Sequence, residues 1–191
     1  MRLMRSYNYK LLSNLPFKVE QITLNEITPR EIEQIRIWRN EQMIVLRQKQ
    51  LISKDEQIHY FKHNIWNELD SLNPNQILVG IYQTSLFIGY GGLVHIDWGA
   101  QSAEVSFLLD TKFSKNLSTY NVIFTEFLRG IEYIARLKLN LKVLTLETFS
   151  FRKEHISIIE KSGYTVLSTK SFDAVDNKES ISSILHSKKL S

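Results

Sequence analysis

Cysteine is missing from all 191 residues, which excludes a disulfide framework, a thiolate nucleophile and any cysteine-based metal site. Long apolar runs are missing as well. No stretch approaches the roughly 18 residues of a membrane span, so the chain is read as soluble and cytoplasmic, without a membrane partner. Proline and glycine are scarce, at 3 and 7 residues, and no Pro/Gly-rich linker, repeat or low-complexity tract divides the sequence. The opening segment MRLMRSYNYKLLSNLPFK has basic residues but lacks the continuous apolar core of a secretory signal. Residues 1–17 are therefore read as an edge segment of a single domain spanning 1–191.

Hydrophobic residues make up 43% of the chain and charged residues 23%, enough to bury a core in one domain of ordinary size. A net charge of +4 and a pI near 9.2 favour an anionic ligand. The basic residues are nevertheless scattered, and no stripe of them is interleaved with aromatics, so nucleic acid is not an expected partner. A nucleotide, a phosphate-bearing coenzyme or a sugar nucleotide needs only a few well-placed arginines.

Lys18 to Leu24 reads as a first strand. Thr28-Pro29-Arg30-Glu31 has the form of a capping box with proline at the first helical position, and Ile32, Ile35 and Trp38 follow at helical spacing. Ser53-Lys54-Asp55-Glu56 is a second box, with Ile58, Phe61, Ile65 and Leu69 along one helical face and a loop at Pro74 behind them. From Gln76 the pattern turns to strands. Ile77 to Tyr82, Leu86 to Asp97 and Ser102 to Asp110 are joined by short polar turns, as in an antiparallel meander. Thr119 to Leu137 reads as a helix burying Phe124, Phe127, Ile131 and Ile134, and Leu141 to Phe149 as the strand that completes a β-α-β crossover. Arg152 to Lys161 is a further helix, stopped by Gly163 in the left-handed conformation. Tyr164 to Leu167 and Ser180 to Leu185 close the sheet. The expected class is α/β: a mixed, mostly antiparallel central sheet with about four flanking helices.

Chemistry-bearing residues concentrate in LFIGYGGLVHIDWGAQSAEVSF, residues 86–107. Gly89, Gly91 and Gly92 resemble a dinucleotide fingerprint only on the surface, because LVHIDW continues a strand instead of opening a helix; close backbone approach explains them better. His59 and His63 have metal spacing on a helix, but Tyr60 stands where an HExxH motif has its glutamate and no third ligand is apparent, so no metal is expected. Arg36, Arg39, Asn40 and Arg47 gather near the end of the first helix. Two readings of them stand, a clasp for a nucleotide diphosphate and a solvated face of salt bridges. His95 is either a substrate or proton-relay residue or a satisfied strand histidine, and Glu147 is a reserve base.

The order β-α-α-β-β-β-α-β-α-β, with the phrases WRNEQ, IGYGGLVHIDW, AEVSFLLD and ETFSFRKEHISIIEKSGY, resembles the GNAT superfamily of acyl-coenzyme A N-acyltransferases over nearly everything after Lys18. The wording is similar to a branch linked to bacterial surface-sugar (surface-polysaccharide) pathways, whose members acetylate amino sugars carried on a nucleotide. The resemblance implies acetyl-coenzyme A as acyl donor, a primary amine as acceptor, and direct attack without a covalent enzyme intermediate. Similar scaffolds acetylate protein amino termini and small amines. A non-catalytic domain that binds an acyl-coenzyme or a partner protein is the remaining alternative.

Such a reaction requires an amine to lose its proton, a thioester carbonyl to be polarised and a thiolate to leave. On a strand Glu104 shares a face with Ser106 and Leu108, and the resemblance gives the glutamate of an AEI-type phrase the amine proton, taken through water. Partial burial would raise its pKa toward the working range; a surface carboxylate paired with a lysine is the other reading. His95 stands second to it. Backbone amides of Phe107, Leu108 and Leu109 are implied to polarise the carbonyl, on a strand that splays from its neighbour. The coenzyme pyrophosphate is implied at the start of the following helix. There the family's Arg/Gln-x-x-Gly-x-Gly/Ala phrase is replaced by TKFSKNLST, which leaves Lys112, Lys115, Asn116, Ser118 and Thr119, with Arg152 further on, as the candidates for the phosphates. A plain solvated loop is the alternative there. Ile159 stands where many members carry a tyrosine to protonate the departing sulfur, but a thiol of pKa about 8.5 can leave as thiolate unaided. Arg36, Arg39, Asn40, Arg47 and Tyr90 are the expected acceptor-binding residues.

Overall fold

The computed structural model of the chain describes residues 6–12, 15–172 and 181–190. Strands β1 (Phe17–Val19), β2 (Ile22–Asn25), β3 (Ile77–Gln83), β4 (Leu86–Asp97), β5 (Ser102–Leu109), β6 (Val143–Phe149), β7 (Thr165–Phe172) and β8 (Ile181–Lys189) form one sheet in the order β1-β2-β3-β4-β5-β6-β8-β7. Helices α1 (Ile32–Glu41) and α2 (Lys54–Tyr60) separate β2 from β3, and α5 (Lys153–Lys161) separates β6 from β7. Between β5 and β6 run α3 (Thr111–Ser114) and α4 (Leu117–Tyr133). That crossover makes β5 and β6 the one parallel pair among the described residues; the other neighbours are antiparallel. The α/β class and the mostly antiparallel sheet agree with the sequence pattern. The described residues form five α-helices where about four were expected, because Asp110 caps a separate short turn, accepting the Lys112 N–H at 2.8 Å, before Asn116 caps α4.

Alternation along the strands sorts side chains into two layers. On β5, Phe107 turns to α4 and packs on Phe124 and Phe127, with ring centroids 4.4 and 4.8 Å away. Ser106 turns to the opposite layer, where Ile35 of α1 and Phe61 at the end of α2 lie. Phe124, Phe127, Ile131 and Ile134 are all buried, as their spacing predicts.

Several local expectations change under tertiary contacts. Lys18 to Leu24 is a hairpin and not one strand: Val19 pairs with Ile22, and Glu20 sits at φ 47 in the turn. The turn is held from outside by the buried Glu126 of α4, which accepts the Gln21 and Ile22 N–H groups at 2.9 and 3.1 Å. The second capping box forms completely at Ser53 and Glu56. In the first, Glu31 reaches back to the Thr28 N–H at 2.8 Å, but the reciprocal cap bond is not made and α1 starts at Ile32. Phe61, Ile65 and Leu69 are buried while Ile58 is exposed; Gln57 takes the inward position and donates to the Ile32 carbonyl at 3.2 Å. A wider π-type turn at Phe61–Ile65 shifts the helix phase that a uniform period assumes. Of the opening segment, residues 1–5 and 13–14 lie outside the described residues, whereas Tyr9 and Leu12 join the core. Ser180, where the last strand was expected to start, also lies outside them.

The feature that positions the site is a fork. β5 pairs with β4 as far as Leu109, but with β6 only from Ser102↔Val143 to Glu104↔Thr145. The Asp110 N–H reaches the Ile88 carbonyl at 2.8 Å, so alternation turns the backbone of Ser106 and Leu108 to β4 and that of Val105, Phe107 and Leu109 into the gap. Close backbone approach does account for the β4 glycines. A Cβ on Gly91 would stand 2.3 Å from the Ser106 carbonyl oxygen, and one on Gly92, at φ 149, would stand 2.0 Å from that of Ile77. Gly92→Ala is expected to destabilise the fold by about 2 kcal/mol or more, measured as a lower urea midpoint with an unchanged slope.

Candidate active site

Glu104 is the last β5 residue still paired with β6, at the root of the fork. Its carboxyl is half-buried, and burial is the main reason that its pKa lies above the ordinary glutamate value. Glu147 pushes in the same direction, while His95 and Arg47 oppose them. His95 is exposed, at φ 51, in a bulge of β4 between Val94, which pairs with Glu104, and Asp97, which pairs with Ser102. Glu147 lies two residues beyond Thr145, the partner of Glu104, and so on the same face of the sheet. Arg47 holds it with Nη1 to Oε2 at 3.0 Å and Nη2 to Oε1 at 2.9 Å, and Ser183 Oγ donates to the same carboxylate. These bonds, led by that of Arg47, keep Glu147 below the ordinary range.

Beside this carboxylate pair a cavity of about 340 Å³ opens between the sheet, α1, α2 and the strap of residues 42–53 that joins the two helices. Val94 and Ser106, the neighbours of Glu104 across and along the sheet, form its nearest wall. Arg39 and Tyr90 meet in the cavity, Nη1 donating to the tyrosine oxygen at 3.0 Å. Tyr60 donates to Gln76 Oε1 at 2.9 Å, and Gln50 and Gln57 add amide groups to the lining. Glu56 is the one carboxylate in that lining, and it is already engaged in the Ser53 capping box. Tyr60, Gln57 and Gln76 had not been singled out from the sequence. The second capping box marks where α2 begins but not which of its side chains turn inward.

The four-residue polar cluster divides. Arg36 pairs with Glu33 at 2.8 Å and donates to the Ile52 carbonyl at 3.0 Å. Asn40 donates to that same carbonyl at 3.0 Å and accepts the Ile52 N–H at 2.9 Å. Both therefore hold the strap, while Arg39 faces the cavity and Arg47 reaches Glu147. They do not converge on one point.

The gap between β5 and β6 is edged by the backbone of Phe107, whose side chain packs on α4. Leu108 does not contribute an amide there, since its backbone pairs with β4, and the Leu109 carbonyl already accepts Gln42 Nε2 at 2.7 Å. The helix starts beyond the gap carry Lys112, Lys115 and Ser118 exposed, while Asn116 Oδ1 and the Thr119 N–H satisfy each other at 3.0 Å. Arg152 sits at the start of α5 and donates to the Tyr120 hydroxyl at 3.1 Å; that hydroxyl also bonds the buried His155. Burial pushes the Tyr120 hydroxyl up to about 12 and holds His155 well below its ordinary value, so the imidazole stays neutral. A strand edge without a strand partner, followed by two exposed lysines at helix starts, fits a ligand with an extended amide arm and a phosphate end. Ile159 is fully buried and offers no proton. Among the described residues no group of three or more His, Asp or Glu side chains could hold a metal ion, and no helix is long and apolar enough to cross a membrane.

Residues 24–182 match the family model described as acetyltransferase (GNAT) domain. No curated protein matches the sequence significantly. Among solved structures, the fold is similar to that of spermidine N-acetyltransferase from Vibrio cholerae in complex with CoA and spermine, at 14% identity and a TM-score of 0.74 over 90% of this chain and 96% of that one. A probable acetyltransferase superposes with 17% identity and a TM-score of 0.69, over 91% and 96% of the two chains. The microcin C7 self-immunity acetyltransferase MccE, in complex with acetyl-CoA and AMP, does so with 14% identity and a TM-score of 0.64, over 89% and 93%. At these identities the likeness is one of fold. The family match covers most of the chain, and the protein therefore belongs to the GNAT acetyltransferases, enzymes that take acetyl-coenzyme A as acyl donor.

Proposed function

We propose that the enzyme acetylates the primary amine of an amino sugar carried on a nucleotide, with Glu104 as general base. The observation that supports this acceptor is the cavity lining: one arginine, tyrosine hydroxyls, glutamine amides, and a single carboxylate that is already capped. Amides and hydroxyls match a hydroxyl-rich ring, and Arg39 matches an anionic attachment. The volume lies at the small end of ligand sites, about 300–1,000 Å³, which suits one sugar ring with its nucleotide extending past the strap. The Vibrio cholerae neighbour is a spermidine acetyltransferase in complex with spermine. A polyamine entering this cavity would meet Arg39 instead of a carboxylate.

Bound acetyl-coenzyme A supplies the activated acyl carbonyl and a thiolate leaving group. Glu104 takes the proton of the acceptor amine, directly or through one water, which its raised pKa suits. His95 lies close enough to moderate that basicity. The Phe107 N–H, turned into the gap, donates to the carbonyl oxygen as charge develops on it. Leu109 lies on the same edge, and Arg152, Ser118 and the two lysines serve the phosphate end.

Glu104→Gln should lower kcat by about 10²–10⁴-fold without loss of stability at neutral pH. The sign follows from the raised folded-state pKa: the charged carboxylate is less favourable in the folded chain than in the unfolded one, so its contribution to stability falls as pH rises through that pKa. For the same reason, kcat/KM of the wild type should fall with decreasing pH through a pKa above that of an ordinary glutamate, a limb absent in the variant. Calorimetric titration with acetyl-coenzyme A should show one-to-one binding, weakened about tenfold in Lys112→Ala/Lys115→Ala; no saturable binding would remove the assigned donor site. Arg39→Leu should raise KM for a nucleotide-linked amino sugar about tenfold or more with kcat largely retained. An unchanged KM would detach Arg39 from the acceptor.

A further inference from the structure

We infer that Arg47 selects the acceptor by charge: its guanidinium holds the position beside Glu104 and Glu147 that a second ammonium group would take, so the site admits singly charged amines and turns away polyamines. This rests on the acetyltransferase reading of the cavity. Arg47 lies on the strap at φ 54 and crosses to β6, where its two nitrogens meet the two oxygens of Glu147 in a fork-to-fork pair at 2.9 and 3.0 Å. The guanidinium carbon lies 5.0 Å from the centroid of Phe149, two residues further along β6. The side chain of Glu147 is 18% exposed and that of Arg47 43%, and Glu147 shares the sheet face and the field of Glu104.

Two carboxylates on one face of a fork form a ready site for a dication. With Arg47 in place one of the two is neutralised, and Arg39 adds a second positive group in the neighbouring cavity. The pair then leaves one carboxylate, Glu104, to meet one amine. Rejection of the wrong acceptor by a fixed like charge is as effective a route to specificity as added attraction to the right one.

The test uses the full chain and defined amines: butylamine, 1,4-diaminobutane and spermidine. Arg47→Met keeps the stack on Phe149 without the charge, Arg47→Ala removes both, and Arg47→Lys keeps the charge. In the Met and Ala variants, calorimetric binding of spermidine should tighten about tenfold, and the kcat/KM ratio of spermidine to butylamine should rise by a similar factor. The Lys variant should keep the wild-type ratio, and adding Glu147→Gln to Arg47→Met should abolish the gain. An unchanged ratio, or an equal loss for all three amines with a lowered melting temperature, would mean that Arg47 only fastens the strap and would overturn the inference. Absence of turnover with every amine and with nucleotide-linked amino sugars would count against the function proposed above, whereas the spermidine binding comparison decides the role of Arg47 by itself.

Discussion

The parting of β5 from β6 after Glu104 is the constraint on which the site depends. While β5 remains paired with β4, its outer edge loses its partner after three residues, and unpaired backbone groups of that kind call for a ligand or for water. The crossover through α3 and α4 brings β6 parallel to β5 and packs α4 against the sheet beside the gap. One face of the fork holds the proposed base and the acceptor cavity; the other holds the strand edge and the helix starts. Chemistry between two substrates requires such an opening through a sheet that is otherwise closed.

Around the fork the charges are balanced and not merely gathered. Burial lifts Glu104 and Glu147 adds to the lift, while His95 and Arg47 restrain it. Glu147 is itself drawn down by Arg47 and Ser183. Two neighbouring glutamates therefore differ in proton affinity, one lifted mainly by burial and the other lowered mainly by its bonds to a guanidinium. That difference suits Glu104 to the proton transfer proposed for it, while Glu147 holds the strap through Arg47. The strap is secured at its other points by Arg36 and Asn40 on the Ile52 backbone.

Local signals in the chain were legible where a short stretch decides its own structure. The Ser53 box, the burial of Phe124, Phe127, Ile131 and Ile134, the left-handed stop at Gly163 and the β4 limits Leu86–Asp97 all follow from periodicity, capping and glycine freedom. The hairpin at Glu20 was not legible, because a residue 105 positions away secures its turn. Nor was the phase of α2, where the π-type turn displaces Ile58 and brings Gln57 inward. In the site, Glu104 and Arg39 were visible as residues. The separation of Arg39, Arg47 and the Arg36/Asn40 pair into three tasks was not, since helix spacing predicts nearness but not the direction in which long side chains reach.

The sequence alone determined most of the element order, the single crossover and the placement of AEVSF on a central strand, while the resemblance to the family lay in its phrases. Each depends on residues close together in the chain, whose hydrophobic period and caps act before any distant contact forms. Tertiary structure alone decided that β8 lies between β6 and β7, that Leu108 turns its backbone away from the gap while Phe107 turns into it, and that Arg47 meets a carboxylate 100 residues away. Those outcomes depend on register and on the reach of side chains between separate elements. No local pattern encodes such distances, and they come into being only when the sheet closes.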